Sequence, residues 1–268
     1  MTTCVVKSVG IAAPGLAGWN ASLDVLRGAT AHVLTPESPY APALLPPNER
    51  RRATAAVRQA FRAAEDAVSG FPANNLASVF ASSDADMSVL NRICSALAQT
   101  PRVISPTDFH NSVHNAASGY WSIAVQSMQP TTTLAAFDAS FTAGLVEAVA
   151  LVRERNADVL LVAYDAVAPE PLLAARPLVQ SASVALVLGA DPAGDEAAGT
   201  NPLARLELGF AGTAESRCSS ESLEALRCAN PALRALPLLE LMAMGRASAV
   251  TLRGPGELLV TVDCTPWT

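Results

Sequence analysis

The sequence predicts an α/β fold, in which a mostly parallel sheet is covered by helices on both faces. Three observations predict it. Short apolar runs alternate with helical patterns along the chain. Half of the 268 residues are hydrophobic and only 16% are charged, which supplies enough apolar material for a core. The segment Thr131–Asp165 also reads as a strand, a turn, a helix and a second strand, a unit typical of parallel sheets.

Composition excludes several classes of protein. The net charge of −6 argues against bulk binding to nucleic acid, which needs a basic surface. The apolar runs are far too short to span a bilayer, and the N-terminus shows no basic and apolar export signal. The five cysteines are scattered without a CxxC pair, as is typical of reduced thiols. We expect a soluble, cytoplasmic protein with no membrane span and no nucleic-acid partner.

The N-terminal part predicts a strand followed by helices. Cys4–Ala12 is rich in strand-forming residues, and Trp19–Leu26 reads as a short helix. Residues 35–47 hold five prolines, so they cannot form a continuous strand or helix. From Asn48, apolar residues at helical spacing predict one long amphipathic helix, whose first turns carry Arg50–Arg52.

The rest of the chain continues the alternation of strands and helices. The apolar run Leu76–Ser82 predicts a strand, and the helical pattern from Val89 to Leu97 predicts a helix. Beyond Asp165 we predict a strand at Ser183–Leu188, a surface loop at Ala190–Asn201, a strand at Ala204–Phe210, helices at Glu221–Cys228 and Leu233–Met244, and strands at Ala247–Leu252 and Glu257–Val262.

Asp138 occupies the turn of the strand–helix–strand unit. Thr131–Phe137 is β-branched and apolar, and Ala139–Val152 has apolar residues at helical spacing, so Asp138 lies where a strand ends and a helix begins. Backbone N–H groups at that place favour negative charge, and an aspartate there is expected to cap the helix. Two alternatives stay open: a catalytic carboxylate, and a residue that shapes a cavity or an interface.

A pair of histidines marks the Ser105–Ile123 segment. His110 and His114 are four residues apart, so a helix would place them on one face, at a spacing that zinc sites use. The glutamate of an HExxH motif is missing, and only Asp108 offers a third ligand, so we expect no metal. A hydrogen-bonded histidine pair at the start of a helix is the simpler interpretation. The small residues Ala116–Gly119 and two large aromatic residues follow, which suits either a subunit interface or the core.

Several blocks of the sequence resemble one family. They are Gly15–Trp19, Leu45–Arg52, Ser105–Trp121, Phe137–Phe141, Ala157–Asp165 and Ala232–Leu239. Together they resemble the β-ketoacyl synthase (thiolase-fold) superfamily, and within it the short ketosynthase-like subunits of aryl polyene (xanthomonadin-type pigment) biosynthesis. The resemblance implies a thiolase-like condensing-enzyme fold with a complete N-terminal half, residues 1–189. A shortened C-terminal half, residues 190–268, would pack on the same core.

The departures from the family pattern concern catalysis. Asp138 falls in the slot where active ketosynthases carry their acylated cysteine, within an Ala-Cys-Ala-Ser motif. The family's catalytic histidines come from the C-terminal half, and this chain has no histidine after Val187. Asn115–Gly119 falls where those enzymes have a helix near the dimer interface. The resemblance therefore implies a subunit that does not catalyse condensation by itself.

The resemblance implies a chain-length-factor-like role, without a cofactor. The chain would form a heterodimer with a ketosynthase in fatty-acid-like or polyketide-like biosynthesis and shape its acyl pocket. Acyl carrier protein would be a further partner, in contact with this chain or with the ketosynthase alone. The expected pocket and interface residues are Phe109, His110, His114, Asn115, Phe137, Asp138, Ser140 and Phe141. Two alternatives stay open: a stand-alone acyl-thioester hydrolase or decarboxylase that uses Asp138 with His110 or His114, and a scaffolding protein without a pocket.

Overall fold

The computed structural model describes residues 2–191 and 201–267. The strands in these two ranges are β1 (Thr2–Ala13), β2 (Leu16–Ala17), β3 (Ala77–Ala81), β4 (Thr131–Leu134), β5 (Val159–Asp165), β6 (Ala182–Gly189), β7 (Ala204–Gly209), β8 (Ser248–Arg253) and β9 (Leu259–Pro266). They form one sheet in the order β4-β3-β5-β6-β1-β7-β9-β8, with β2 paired to β1.

Ten α-helices accompany the sheet in the same residues. They are α1 (Trp19–Leu26), α2 (Pro47–Arg52), α3 (Ala55–Ala67), α4 (Met87–Leu97), α5 (Pro106–Asn111), α6 (Ala116–Val125), α7 (Ser140–Arg155), α8 (Leu172–Ala175), α9 (Glu221–Ala229) and α10 (Leu236–Met244). Short 3₁₀ turns cover Ala73–Asn75, Phe137–Ala139 and Pro231–Ala235. Across the described ranges, every helix is too short or too polar to cross a membrane.

The sheet is mixed, and the prediction of a mostly parallel sheet is wrong. β3 pairs in parallel with β4 and β5, whereas the other strand pairs are antiparallel. The error has a physical cause. β5 and β6 are buried along their whole length because helices cover both faces, so both read as continuous apolar runs. Such runs indicate burial on two sides and carry no information about direction.

Helices do cover both faces of the sheet, as predicted, and each face has its own apolar core. On one face, Phe141, Leu145 and Val149 of α7 pack with the interior of the sheet. On the other face, Phe61 of α3 meets Trp121 of α6 edge to face, with 5.3 Å between ring centroids. Trp121 is 1% exposed, so it belongs to the core rather than to an interface.

Gly10 allows α3 to lie directly on the central strand β1. A Cβ atom at Gly10 would overlap the carbonyl oxygen of Ala63 and lie 2.8 Å from the backbone nitrogen of Ala67. Both neighbours are backbone atoms of α3, which cannot turn away as a flexible side chain would. The contact between helix and sheet therefore depends on glycine at this position.

The predicted long helix from Asn48 is two helices, α2 and α3. The chain is extended at Ala53, and the Thr54 hydroxyl accepts a hydrogen bond from the Val57 N–H at 3.3 Å, so a new helix begins there. The predicted helix at Leu233–Met244 likewise begins as the 3₁₀ turn that precedes α10. The predicted loop Ala190–Asn201 lies outside the described residues except at its two ends.

Candidate functional site

Asp138 lies in the 3₁₀ turn between the edge strand β4 and α7, at the place that the sequence predicts. It does not cap the helix: the residue before α7 is Ala139, and no side chain among the described residues provides a capping hydrogen bond. The expected capping role is wrong, because the carboxylate of Asp138 pairs with two arginines instead. One oxygen accepts a hydrogen bond from Nη1 of Arg176 at 2.7 Å, and the other lies 3.6 Å from Nη2 of Arg234.

Ser140, rather than Asp138, makes the side-chain hydrogen bonds that stabilise the turn. Its hydroxyl donates to the carbonyl oxygen of Phe137 at 2.7 Å and accepts from the N–H of Ala136 at 3.0 Å. Phe137 has a positive φ of 52°, and the residue is 61% exposed. The turn thus presents one aromatic ring to the surface, while the carboxylate next to it is neutralised.

Arg176 joins the turn to the end of strand β3. Its Nε donates to Asp84 at 2.7 Å, its Nη1 donates to Asp138, and its guanidinium carbon lies 3.8 Å from the centre of the Phe137 ring. Burial lowers the pKa of Arg176, but its hydrogen bonds to Asp84 and Asp138 outweigh that effect and hold the pKa above its usual value. The guanidinium therefore stays charged between two carboxylates.

Asp165 forms a second polar centre, at the carboxyl end of β5. One of its oxygens accepts hydrogen bonds from the Ser82 hydroxyl at 3.0 Å and from the Ser83 N–H and hydroxyl at 2.8 Å each. Its other oxygen is buried and, within the described residues, has no hydrogen-bond partner. Burial raises the pKa of this carboxyl to about 7, although the serine hydrogen bonds oppose the rise.

We expect Asp165→Asn to change how stability depends on pH. Between about pH 4 and pH 7 the folded chain keeps a proton on Asp165 that the unfolded chain has released, so stability falls as pH rises through this window. The slope that Asp165 contributes is at most about 1.4 kcal/mol per pH unit. Urea denaturation at several pH values should show this fall in the wild type, levelling off above about pH 7, and its loss in the variant. Parallel pH profiles would contradict the burial argument.

His110 and His114 do not share a helical face, because α5 ends at Asn111 and His114 lies in the connection to α6. The His110 ring packs edge-on against Tyr120, with centroids 5.9 Å apart. The Nε2 atom of His114 is buried without a hydrogen-bond partner among the described residues. In residues 2–191 and 201–267, no group of three or more His, Cys, Asp or Glu side chains is placed to hold a metal ion.

An apolar groove crosses the surface formed by α5 and α6. We call it the α5–α6 groove; its volume is about 440 Å³, and its lining includes Pro106, Phe109, His110, Val113, Tyr120 and Ile123. Phe109 is 70% exposed and Ile123 is 52% exposed. Asn115 also lines this groove, just before α6. Phe141, by contrast, is fully buried in the core beneath α7.

Within residues 2–191 and 201–267, no strand pairs with β4 on the side away from β3. The carbonyl oxygens of Pro130 and Leu134 accept hydrogen bonds from β3, at Ser78 and Ser82. Because backbone groups alternate along a strand, those of Thr131 and Thr133 point away from β3. The preceding turn exposes Met128 almost completely, at 98%. An open edge beside an apolar groove is the kind of surface on which another chain can pair.

The sequence patterns identify Asp138 as a candidate site residue. They do not identify Arg176, Asp84 or Asp165. Asp84 and Asp165 lie at or just beyond the carboxyl ends of β3 and β5, two parallel neighbours, and this position could have identified both. Arg176 lies in the segment between α8 and β6, and nothing in its local sequence sets it apart.

Comparisons with known proteins give one family model and several solved structures. The model for the N-terminal domain of β-ketoacyl synthases matches residues 27–236. A ketosynthase (ApeO) in complex with its chain length factor (ApeC) from Xenorhabdus doucetiae shows 20% identity and a TM-score of 0.74, covering 98% of this chain and 100% of that chain. The ishigamide ketosynthase/chain length factor shows 13% identity and a TM-score of 0.75, covering both chains fully.

A third solved structure contains a carrier protein. It is a type II PKS acyl-carrier protein in complex with its ketosynthase bound to the hexaketide (AntDE:AntF), with 11% identity, a TM-score of 0.73 and coverage of 99% of both chains. No curated protein matches the sequence.

Proposed function

Because the chain belongs to the β-ketoacyl synthase family, we propose that it is the chain-length-factor-like partner of a ketosynthase in aryl polyene or related polyketide biosynthesis. The expected thiolase-like fold is confirmed. In the proposed role the chain supplies one wall of the acyl pocket, while the ketosynthase carries the acylated cysteine. The observation that carries the proposal is the ion-paired carboxylate of Asp138, at the position where the resemblance implies the cysteine of active ketosynthases.

The chemistry of this slot supports a role without catalysis. A carboxylate that is bonded to Arg176 and close to Arg234 is a weak base and a weak nucleophile. Hydrolysis or decarboxylation by the chain alone would need a histidine beside Asp138. In the described ranges, no hydrogen bond joins Asp138 to His110 or His114, so this alternative gains no support from the structure.

We further propose that the ketosynthase covers the α5–α6 groove and the open edge of β4. The apolar groups exposed there would lose water on assembly, which favours association. Strand pairing at β4 would extend the sheet into the partner. Phe137, in the turn that follows β4, would then lie near the joint surface where the acyl pocket forms. Two of the similar solved structures are named for a ketosynthase with a chain length factor, which supports a ketosynthase as the partner.

We propose that the two halves expected from the sequence form one core. β1 and β6 belong to residues 1–189, and β7 belongs to residues 190–268. Because β1 pairs with β6 on one side and with β7 on the other, both halves would share the central strand. The two halves would then not be independent folding units.

Co-expression with a ketosynthase tests the proposed function. We expect a one-to-one complex, acylated only on the ketosynthase after incubation with acyl and malonyl carrier protein, and elongation only when both chains are present. Size-exclusion chromatography, intact mass and product analysis would measure these properties. Thioester turnover by this chain alone, or equal elongation by the ketosynthase alone, would contradict the proposal.

A further inference from the structure

Phe137 combines a strained backbone, an exposed position and a contact with a guanidinium group. Its backbone is in the left-handed region, with φ at 52°, which is costly for a bulky residue. The residue is 61% exposed. The ring is nevertheless held, because the Arg176 guanidinium lies over it at 3.8 Å. Strain that persists at an exposed aromatic residue needs a surrounding structure that enforces it.

Ser140 bonds the Phe137 backbone, whereas the Phe137 ring is restrained through Arg176. The Arg176 guanidinium donates from Nε to Asp84 and from Nη1 to Asp138, both at 2.7 Å. Two carboxylates therefore bind two different nitrogens of this planar group. The whole residue is only 9% exposed. Arg234 lies 3.6 Å from the second oxygen of Asp138 and 3.9 Å from Glu215. These contacts connect the ion pairs of Arg176 to the C-terminal part of the chain. The guanidinium plane has little freedom to turn.

We propose that Arg176 is a positioning residue, held by Asp84 and Asp138, that fixes the Phe137 ring as the wall at which the growing acyl chain stops. This inference rests on the proposed function, since it assumes a pocket shared with a ketosynthase. A loose ring could swing aside and let longer chains pass, whereas a ring that is already ordered needs no further ordering when the chain reaches it. At the position where the resemblance implies a nucleophile, Asp138 instead helps to position the neighbouring Phe137 ring through Arg176.

The matched control for this arrangement is Arg205. Its guanidinium also lies over an aromatic ring, that of Trp267, at 5.4 Å, and it also pairs with an aspartate, Asp191. Arg205 is on β7, however, and β7 is separated from β4 by β1, β6, β5 and β3 in the sheet. Arg205→Lys therefore tests the same chemistry at a place that the proposal does not involve.

The test measures product length in the reconstituted complex with Arg176→Lys. Lysine keeps the positive charge but lacks the planar face and the fork of donors that fit two carboxylates and a ring. We expect the share of products longer than those of the wild type to rise about fivefold, in line with the loss of a cation–π contact. Phe137→Ala should give a similar rise, and the double variant should add little to it, because both changes release the same ring. Arg205→Lys should leave the distribution unchanged.

The outcomes separate this inference from the proposed function. If the wild-type chain forms no complex and supports no elongation, the proposed function fails. If the wild type elongates and Phe137→Ala lengthens the products while Arg176→Lys does not, only the positioning role fails. Additive effects in the double variant would also overturn it. Should Arg176→Lys not fold, Asp84→Asn loosens the same guanidinium from one side and is expected to lengthen the products; unchanged products would overturn the positioning role.

Discussion

A chain that carries both Phe109→Glu and Ile123→Glu is expected to fold normally but not to bind the proposed ketosynthase partner. Both side chains are more than half exposed on the α5–α6 groove, so the free chain tolerates charge there. In the proposed complex the two carboxylates would be buried without partners, which is strongly unfavourable. We expect the dissociation constant to rise at least about 100-fold, or about 2.7 kcal/mol. Titration calorimetry would measure the affinity, and circular dichroism would verify the fold.

Phe210→Glu is the matched control for this loss of assembly. Phe210 is 64% exposed, close to the value for Phe109, but it follows β7, far from the edge strand β4 in the sheet. The control variant should bind the ketosynthase as the wild type does. Equal affinity for the double variant and the wild type would mean that the partner covers a different surface. Equal losses in control and double variant would point to a general effect of added negative charge.

Gly10→Ala is expected to destabilise the chain by about 3 kcal/mol or more, at the upper end of the costs of overpacking. The added methyl group would overlap backbone atoms of α3 at Ala63. β1 cannot retreat, because Gly10 pairs with Ala185 of β6 and the neighbouring Ala12 and Ala13 pair with β2. α3 cannot retreat without opening the contact between Phe61 and Trp121. Urea denaturation would show the effect as a lower midpoint.

Gly209→Ala provides the comparison for the glycine prediction. Gly209 ends strand β7, and a Cβ atom there would meet no heavy atom within 4 Å. We expect its effect on the free energy of unfolding to stay within about 0.5 kcal/mol. If Gly10→Ala were as mild as Gly209→Ala, the close approach of α3 to β1 would not be rigid.

Local patterns predict the elements well and the sheet poorly. The prediction for α1 coincides with the structure, and the strands at β3 and β6 differ from their predictions by a residue at either end. Such features depend on neighbours in sequence, where apolar spacing is informative. Strand direction depends on how a connection crosses the sheet. The connection from β5 to β6 contains only the short α8 and joins antiparallel strands.

Prediction from local sequence patterns has the same limit for single site residues. The place of Asp138 follows from the strand before it and the helix after it, so the sequence predicts it correctly. Its role does not follow, because a cap is a local contact, whereas Arg176 and Arg234 arrive from distant parts of the chain. A charged partner at long range outweighs local capping, and no local pattern in the sequence reveals that partner.

The central position of β1 has a consequence for synthesis. Val5 pairs with Gly189 on one side and with Arg205 on the other, so β1 cannot pair until residues much further along the chain have been synthesised. Pairing at such long separation is slow, and unpaired strand edges invite aggregation in the meantime. The demand for chaperones should therefore be greatest before β6 and β7 have been synthesised, and nascent chains arrested before β7 should be the species that aggregate.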